Sequence, residues 1–172
     1  MSTGTDNTLV VHSNSEAETI ALGAQIGTRL QPGDLVLLLA PFGAGKTHLT
    51  KGIAAGLGAD PDEVNSPSFV IINQYSAGAR YRRMPIFHAD LYRIETAHDL
   101  GTVGLEECLV GDGVCIIEWA ERAADWLPQE RLAIEIAETG PNTRRLTLIA
   151  QGERYERLVR ELAVAGGKMD AA

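Results

Sequence analysis

Leu35-Val36-Leu37-Leu38-Leu39-Ala40-Pro41-Phe42-Gly43-Ala44-Gly45-Lys46-Thr47 is the stretch on which the fold turns. Its first five residues form an unbroken apolar run, the pattern of a strand buried on both faces. From Ala40 to Thr47 the chain follows the Walker-A pattern, with Ala40 in place of the first glycine. Gly43 and Gly45 let the backbone curl so that successive N–H groups point inward at phosphate oxygens. A helix beginning near Lys46, closed by Gly58, adds unpaired N–H groups and the positive end of its dipole. Lys46 supplies a mobile charge for the β and γ phosphates, and the Thr47 hydroxyl a ligand for Mg²⁺. The stretch therefore predicts a nucleoside triphosphate site with Mg²⁺, built from Phe42, Gly43, Ala44, Gly45, Lys46, Thr47 and His48. An ordinary glycine-rich turn is the alternative, but it leaves an intact G-x-G-K-T behind an apolar strand unexplained. If Ala40 must adopt positive φ, alanine there costs about 1 kcal/mol relative to glycine.

Upstream, residues 9–12 read as a short strand. Ser15 with Glu18 makes a capping box, opening a helix whose Ala17, Ile20, Ala21 and Ala24 share a face. Downstream comes a polar loop through Asn65-Ser66-Pro67-Ser68. Strands are then expected over residues 69–75 and 82–87, joined by a turn near Gly78. Residues 96–109 read as one helix, weakened by Gly101 and Gly104. A second buried-strand run, 114–117, ends in Glu118-Trp119; strands at 132–136 and 145–149 pair late. Tyr155, Leu158, Val159 and Leu162 mark one face of a closing helix. Strands alternate with helices early and cluster later, which predicts an α/β, three-layer P-loop NTPase fold. Its central sheet is expected to be mixed, with an antiparallel portion. One domain is expected over residues 9–165, between short loose tails at 1–8 and 166–172.

The 172 residues carry 15 Lys and Arg against 23 Asp and Glu, a net charge of -8. Such a surface repels a phosphate backbone, which disfavours independent nucleic-acid binding. Arg80, Arg82 and Arg83 form the densest basic patch and read as a solvated hairpin edge. The first residues lack the basic and apolar regions of a signal peptide, and no apolar run approaches the ~20 residues needed to span a bilayer. Cys108 and Cys115 lack C-x-x-C spacing and the histidines lack zinc-ligand spacing. Cys115 is expected in the core. A cytoplasmic, reduced protein without structural metal and with no membrane association is the expectation.

The guanine-reading patterns D-x-x-G and N-K-x-D are absent from the sequence, which disfavours GTP. Asp90 and Glu118 each end an apolar strand, where a carboxylate lies beside the phosphate loop and can hold Mg²⁺ through water or polarise an attacking water. For each the alternative is a carboxylate capping the following helix. Trp119 is either core or packed near the nucleotide or a partner surface, Arg93 either a phosphate contact or half of an ion pair. Trp126 reads as structural, Tyr92 as core and His88 as a packed strand residue.

Gly43-Ala44-Gly45-Lys46-Thr47, Ser66-Pro67-Ser68-Phe69, His88-Ala89-Asp90-Leu91-Tyr92-Arg93 and Ile117-Glu118-Trp119-Ala120-Glu121 together resemble the bacterial ATPase subunit of tRNA threonylcarbamoyladenosine synthesis, the TsaE/YjeE family. Gly104-Leu105-Glu106-Glu107 fits as well, and the resemblance covers nearly the whole chain. It departs at Ala40, at Ser68 where the family usually has threonine, and at Ala120 where proline is frequent. The resemblance implies a weak Mg-dependent ATPase that acts on a two-protein threonylcarbamoyl-transferase complex (TsaD and TsaB type), meeting tRNA only indirectly. It places Thr47, Asp90, Ser68 and Glu118 on the metal side, Lys46, Asp90 and Glu118 in catalysis, and Trp119 beside the nucleotide. A P-loop small-molecule kinase and a nucleotide-gated adapter without turnover are the competing readings. The arginine pair expected of a kinase lid is matched only by the hairpin arginines.

Overall fold

All five residues of one strand, Val114–Glu118, are buried, as are Leu35 to Leu38 of another, so the sheet must be covered on both faces. The computed structural model describes residues 7–41, 43–65 and 72–167. Along the chain come β1 (Thr8–Ser13), α1 (Glu16–Gly27), β2 (Leu35–Leu39), α2 (Lys46–Gly56), β3 (Ile72–Ser76) and β4 (Pro85–Asp90). They are followed by α3 (Ala97–Thr102), α4 (Leu105–Val110), β5 (Val114–Glu118), β6 (Arg131–Glu138), β7 (Arg144–Gln151) and α5 (Glu153–Gly167). The seven strands lie in the order β1-β7-β6-β2-β5-β4-β3. β2 is parallel to both β5 and β6, and β4 is parallel to β5. The β1–β7, β6–β7 and β3–β4 pairs are antiparallel, giving the mixed sheet expected.

β2 divides its side chains between two cores. Val36 and Leu38 join Ile26, Leu49, Ile53 and Leu158 under α1, α2 and α5. Leu35 and Leu37 join Leu100, Leu105, Ile117 and Ala123 on the opposite face. This is the three-layer arrangement, and it explains why the strand had no polar alternation to show.

Several local expectations are corrected. Ala17 and Ala21 of α1 are exposed, while Thr19, Leu22, Gly23, Ile26 and Gly27 are buried. The buried face follows backbone approach rather than side-chain bulk: a Cβ on Gly52 of α2 would sit 2.2 Å from the Ile20 carbonyl oxygen. Ser15 Oγ accepts from Glu18 N–H as a cap should, but the Glu18 carboxylate accepts from Asn14 N–H at 2.7 Å, one residue earlier than the box requires. The helix expected over 96–109 is two helices, α3 and α4, parted at Gly104 with φ 75°. Arg82 and Arg83 belong to the turn, each at φ 54°, and the strand begins only at Pro85. Of the strand expected over 69–75, the described part is β3, and residues 66–71 lie outside the described residues. Trp126, expected to be structural, is 66% exposed, and Tyr92, expected in the core, is 52% exposed.

Candidate functional site

β2 ends where the phosphate loop begins, and α2 starts at Lys46 as the loop ends. Gly43 and Gly45 take φ of 80° and 104°, and a Cβ on either would meet nothing within 4 Å. Conformation, not crowding, is therefore what calls for glycine there. Ala40 is not among the described residues with positive φ, so the backbone cost foreseen for alanine does not arise. Gly45 caps α2 without a side-chain hydrogen bond, leaving the N–H groups of its first turn without a capping side chain. Phe42, expected at this site, lies outside the described residues, as does Ser68.

Lys46 is folded back on its own loop. Its Nζ donates to the Ala40 carbonyl at 2.8 Å and the Pro41 carbonyl at 3.2 Å, and stands 4.3 Å from the centre of the Trp119 ring. Burial pulls its pKa below the usual lysine value, and the nearby Glu118, Asp90 and Glu121 carboxylates work against that. The ammonium thus sits in a partly desolvated place with negative charge on one side.

Asp90 and Glu118 are register partners on the parallel strands β4 and β5, and Glu118 is in turn the register partner of Leu38 on β2. Two carboxylates from distant parts of the chain are thereby set side by side next to the loop. Burial raises the Asp90 pKa; the hydrogen bond from Tyr92 N–H to Oδ1 at 2.9 Å opposes this. Asp90 thus keeps a capping bond while also facing Lys46. Glu118, 2% exposed, caps no N–H among the described residues; its Oε1 lies 2.9 Å from His88 Nε2. His88 was read only as a strand residue, and nothing in sequence spacing marks its contact with Glu118 across to β5. Trp119 follows at φ 56°. Its ring lies 5.0 Å from that of Tyr92, which has the Arg122 guanidinium 5.9 Å away.

Arg144 was missed altogether. From β7 its Nε donates to the Ala44 carbonyl at 2.9 Å, and its Nη2 pairs with Glu138 at 3.0 Å. Its 100-residue separation from Ala44 left no local signal. A small cleft of about 90 Å³ adjoins the loop, lined among others by Ser15, Thr19, His48, Asn142 and Arg144. A larger one of about 580 Å³, around Arg29, Arg157 and Arg160, has none of the site residues in its wall. Of the expected residues, the fold brings Lys46, Asp90, Glu118 and Trp119 together. Thr47 is half-buried in the first turn of α2, and His48 pairs with Glu16 at 3.7 Å beside the small cleft.

Among the described residues no group of three or more His, Cys, Asp or Glu side chains could hold a metal. A cation here would have to share a hydroxyl, a carboxylate and oxygens of a phosphate ligand. That is the all-oxygen, part-protein coordination suited to Mg²⁺, so the residues present fit the ion. The open left-handed glycines and uncapped α2 fit a phosphate chain. No helix among the described residues is long and apolar enough to cross a membrane.

Comparison with known proteins identifies the family. Residues 13–146 match the family described as "Threonylcarbamoyl adenosine biosynthesis protein TsaE". A Bacillus subtilis protein named "tRNA threonylcarbamoyladenosine biosynthesis protein TsaE" is 43% identical over 146 residues, covering 85% of this chain and 88% of its own. A protein of the same name from Treponema pallidum is 35% identical, covering 79% and 96%. The crystal structure of Bacillus subtilis YdiB superposes with a TM-score of 0.75 at 37% identity, over 92% of this chain and 96% of that one. With the family model matched over residues 13–146 and relatives of 35–43% identity covering most of both chains, the chain belongs to the TsaE family.

Proposed function

We propose that this protein is a Mg-dependent ATP-binding and ATP-hydrolysing subunit that supports formation of threonylcarbamoyladenosine in tRNA by acting on a two-protein transferase complex of the TsaD and TsaB type. The observation that carries the reading is the side-by-side placement of Asp90 and Glu118 against Lys46 at the end of β2. A turn that merely joined strand to helix would have no use for two partly desolvated carboxylates beside a buried ammonium.

In this reading Gly43 to Thr47 and the start of α2 cradle the triphosphate with backbone N–H groups. Lys46 exchanges its two loop carbonyls for phosphate oxygens. The Thr47 hydroxyl and Asp90 hold Mg²⁺, with Ser68 as a further hydroxyl. When bound, Mg²⁺ draws charge from the phosphate oxygens. Glu118 orients the attacking water, and the small cleft by Arg144 is open to the rest of the nucleotide. The net charge of -8 leaves tRNA contact to the partners. Trp119 with the half-exposed Tyr92 stands where a docked partner would sense nucleotide. The work is that of a cytoplasmic protein.

Radiolabelled ATP given to the full chain, with and without the partner pair, tests this. Free phosphate released faster with the pair is the expected result. Label on a small metabolite would make the protein a kinase, and no transfer at all would make it an adapter.

A further inference from the structure

His88 is fully buried in β4, and both its ring nitrogens are engaged. Nε2 lies 2.9 Å from Glu118 Oε1 and Nδ1 lies 3.1 Å from the Tyr75 hydroxyl. The same hydroxyl is 3.1 Å from the Asn65 carbonyl, and Asn73 Nδ2 donates to that carbonyl at 3.2 Å and to the Tyr75 oxygen at 3.4 Å.

An ionised carboxylate only accepts hydrogen bonds, so Nε2 must carry the proton shared with Glu118. Tyr75 has one hydroxyl proton and two acceptors within reach. If it donates to Nδ1, the Asn65 carbonyl still has Asn73. If it donates to Asn65, the Nδ1–H donates to the Tyr75 oxygen instead. Each arrangement satisfies every buried polar atom, in keeping with the absence of unsatisfied ones among the described residues. The Nε2–H bond to Glu118 is common to both arrangements. Among the described residues, the His88 ring is the group that holds the Glu118 carboxylate.

We infer that His88 is a positioning residue for Glu118: its Nε2–H, backed by Tyr75 on Nδ1, clamps Oε1 and so fixes the plane in which the carboxylate meets the water. This rests on the proposed role of Glu118 in ATP hydrolysis. Without His88 the buried carboxylate would lose the hydrogen bond that orients it among the described residues.

The test compares wild type, His88→Leu and His88→Gln as full chains, scoring partner-stimulated hydrolysis of Mg-ATP and affinity for ADP. His88→Leu should lower kcat by about 10–100-fold, with ADP affinity within about twofold of wild type. His88→Gln, which carries a donor near the Nε2 position, should recover most of the rate. An unchanged kcat in His88→Leu overturns the proposal. So does a loss of affinity that tracks kcat and is not restored by glutamine, which would make His88 a packing residue. A second readout needs no turnover: long-range ¹H–¹⁵N spectra of the nucleotide-free wild type should show His88 Nε2 protonated. A bare Nε2 sinks the clamp alone, whereas no phosphate release by the wild type with its partners sinks the hydrolytic reading and the role with it.

Discussion

Asp90 holds a charge at an unfavourable place. Burial lifts its carboxyl above the ordinary 3.8, so between that value and the raised one the folded chain keeps a proton the unfolded chain has released. Stability therefore falls as pH rises through this window; the burden is fully present above the raised value and absent below 3.8. Asp90→Asn keeps an oxygen for Tyr92 N–H, and Glu118 remains beside Lys46. The nucleotide-free variant should melt higher than wild type at neutral pH, with the gap closing as the pH is lowered toward 3.8. Its Mg-dependent ATP affinity should drop, because a carboxylate beside the metal acts in the ground state. Glu118→Gln should do the opposite, keeping affinity while losing about a hundredfold or more in rate, since a water-orienting group acts mainly in the transition state. Titration calorimetry and phosphate release on both variants would expose an exchange of the two roles.

The element that delivers the phosphate loop is α2, and its seat on α1 depends on glycine. A Cβ at Gly52 would meet the Ile20 carbonyl oxygen at 2.2 Å and Gly23 Cα at 2.9 Å, both backbone atoms that cannot swing aside. Alanine is the better helix former by about 1 kcal/mol, but the clash wins here. Gly52→Ala should destabilise by about 1–3 kcal/mol in urea unfolding, and lower nucleotide affinity as α2 is pushed off α1. Gly101 in α3 is the control, because a Cβ there meets nothing within 4 Å. Gly101→Ala should be neutral or stabilising by up to about 1 kcal/mol. Equal losses in both variants would show that packing of α1 on α2 is not what Gly52 serves.

At the scale of the whole molecule, a ligand that binds only the folded loop stabilises by mass action. Mg-ATP at a hundred times Kd should add about 2.7 kcal/mol to unfolding. Lys46→Ala should erase most of that shift. Its own fold should change little, because the lost carbonyl bonds are offset by relief of a partly desolvated ammonium. Thermal melts with and without Mg-ATP check this, and an undiminished shift in the variant would remove the phosphate loop from the nucleotide site.

By itself the sequence determined what rests on neighbours along the chain. The apolar run of β2, the glycines and Lys46 behind it, and the carboxylates ending β4 and β5 were legible because burial on two faces and phosphate-cradling turns leave local patterns. Strands that alternate with helices early and cluster later also pointed to a three-layer α/β fold. The tertiary structure alone decided which residues meet. The parallel pairing of β4 with β5 makes Asp90 and Glu118 partners, and the buried His88 reaches Glu118 across strands 30 residues apart. Arg144 is carried to Ala44 by the antiparallel β6–β7 return. The buried face of α1 was misread because Gly23 and Gly27, which show no apolar side chain, share it with Leu22 and Ile26 where α2 comes close. Such contacts depend on strand order and close backbone approach, which are settled when the whole sheet assembles and leave no period in the chain.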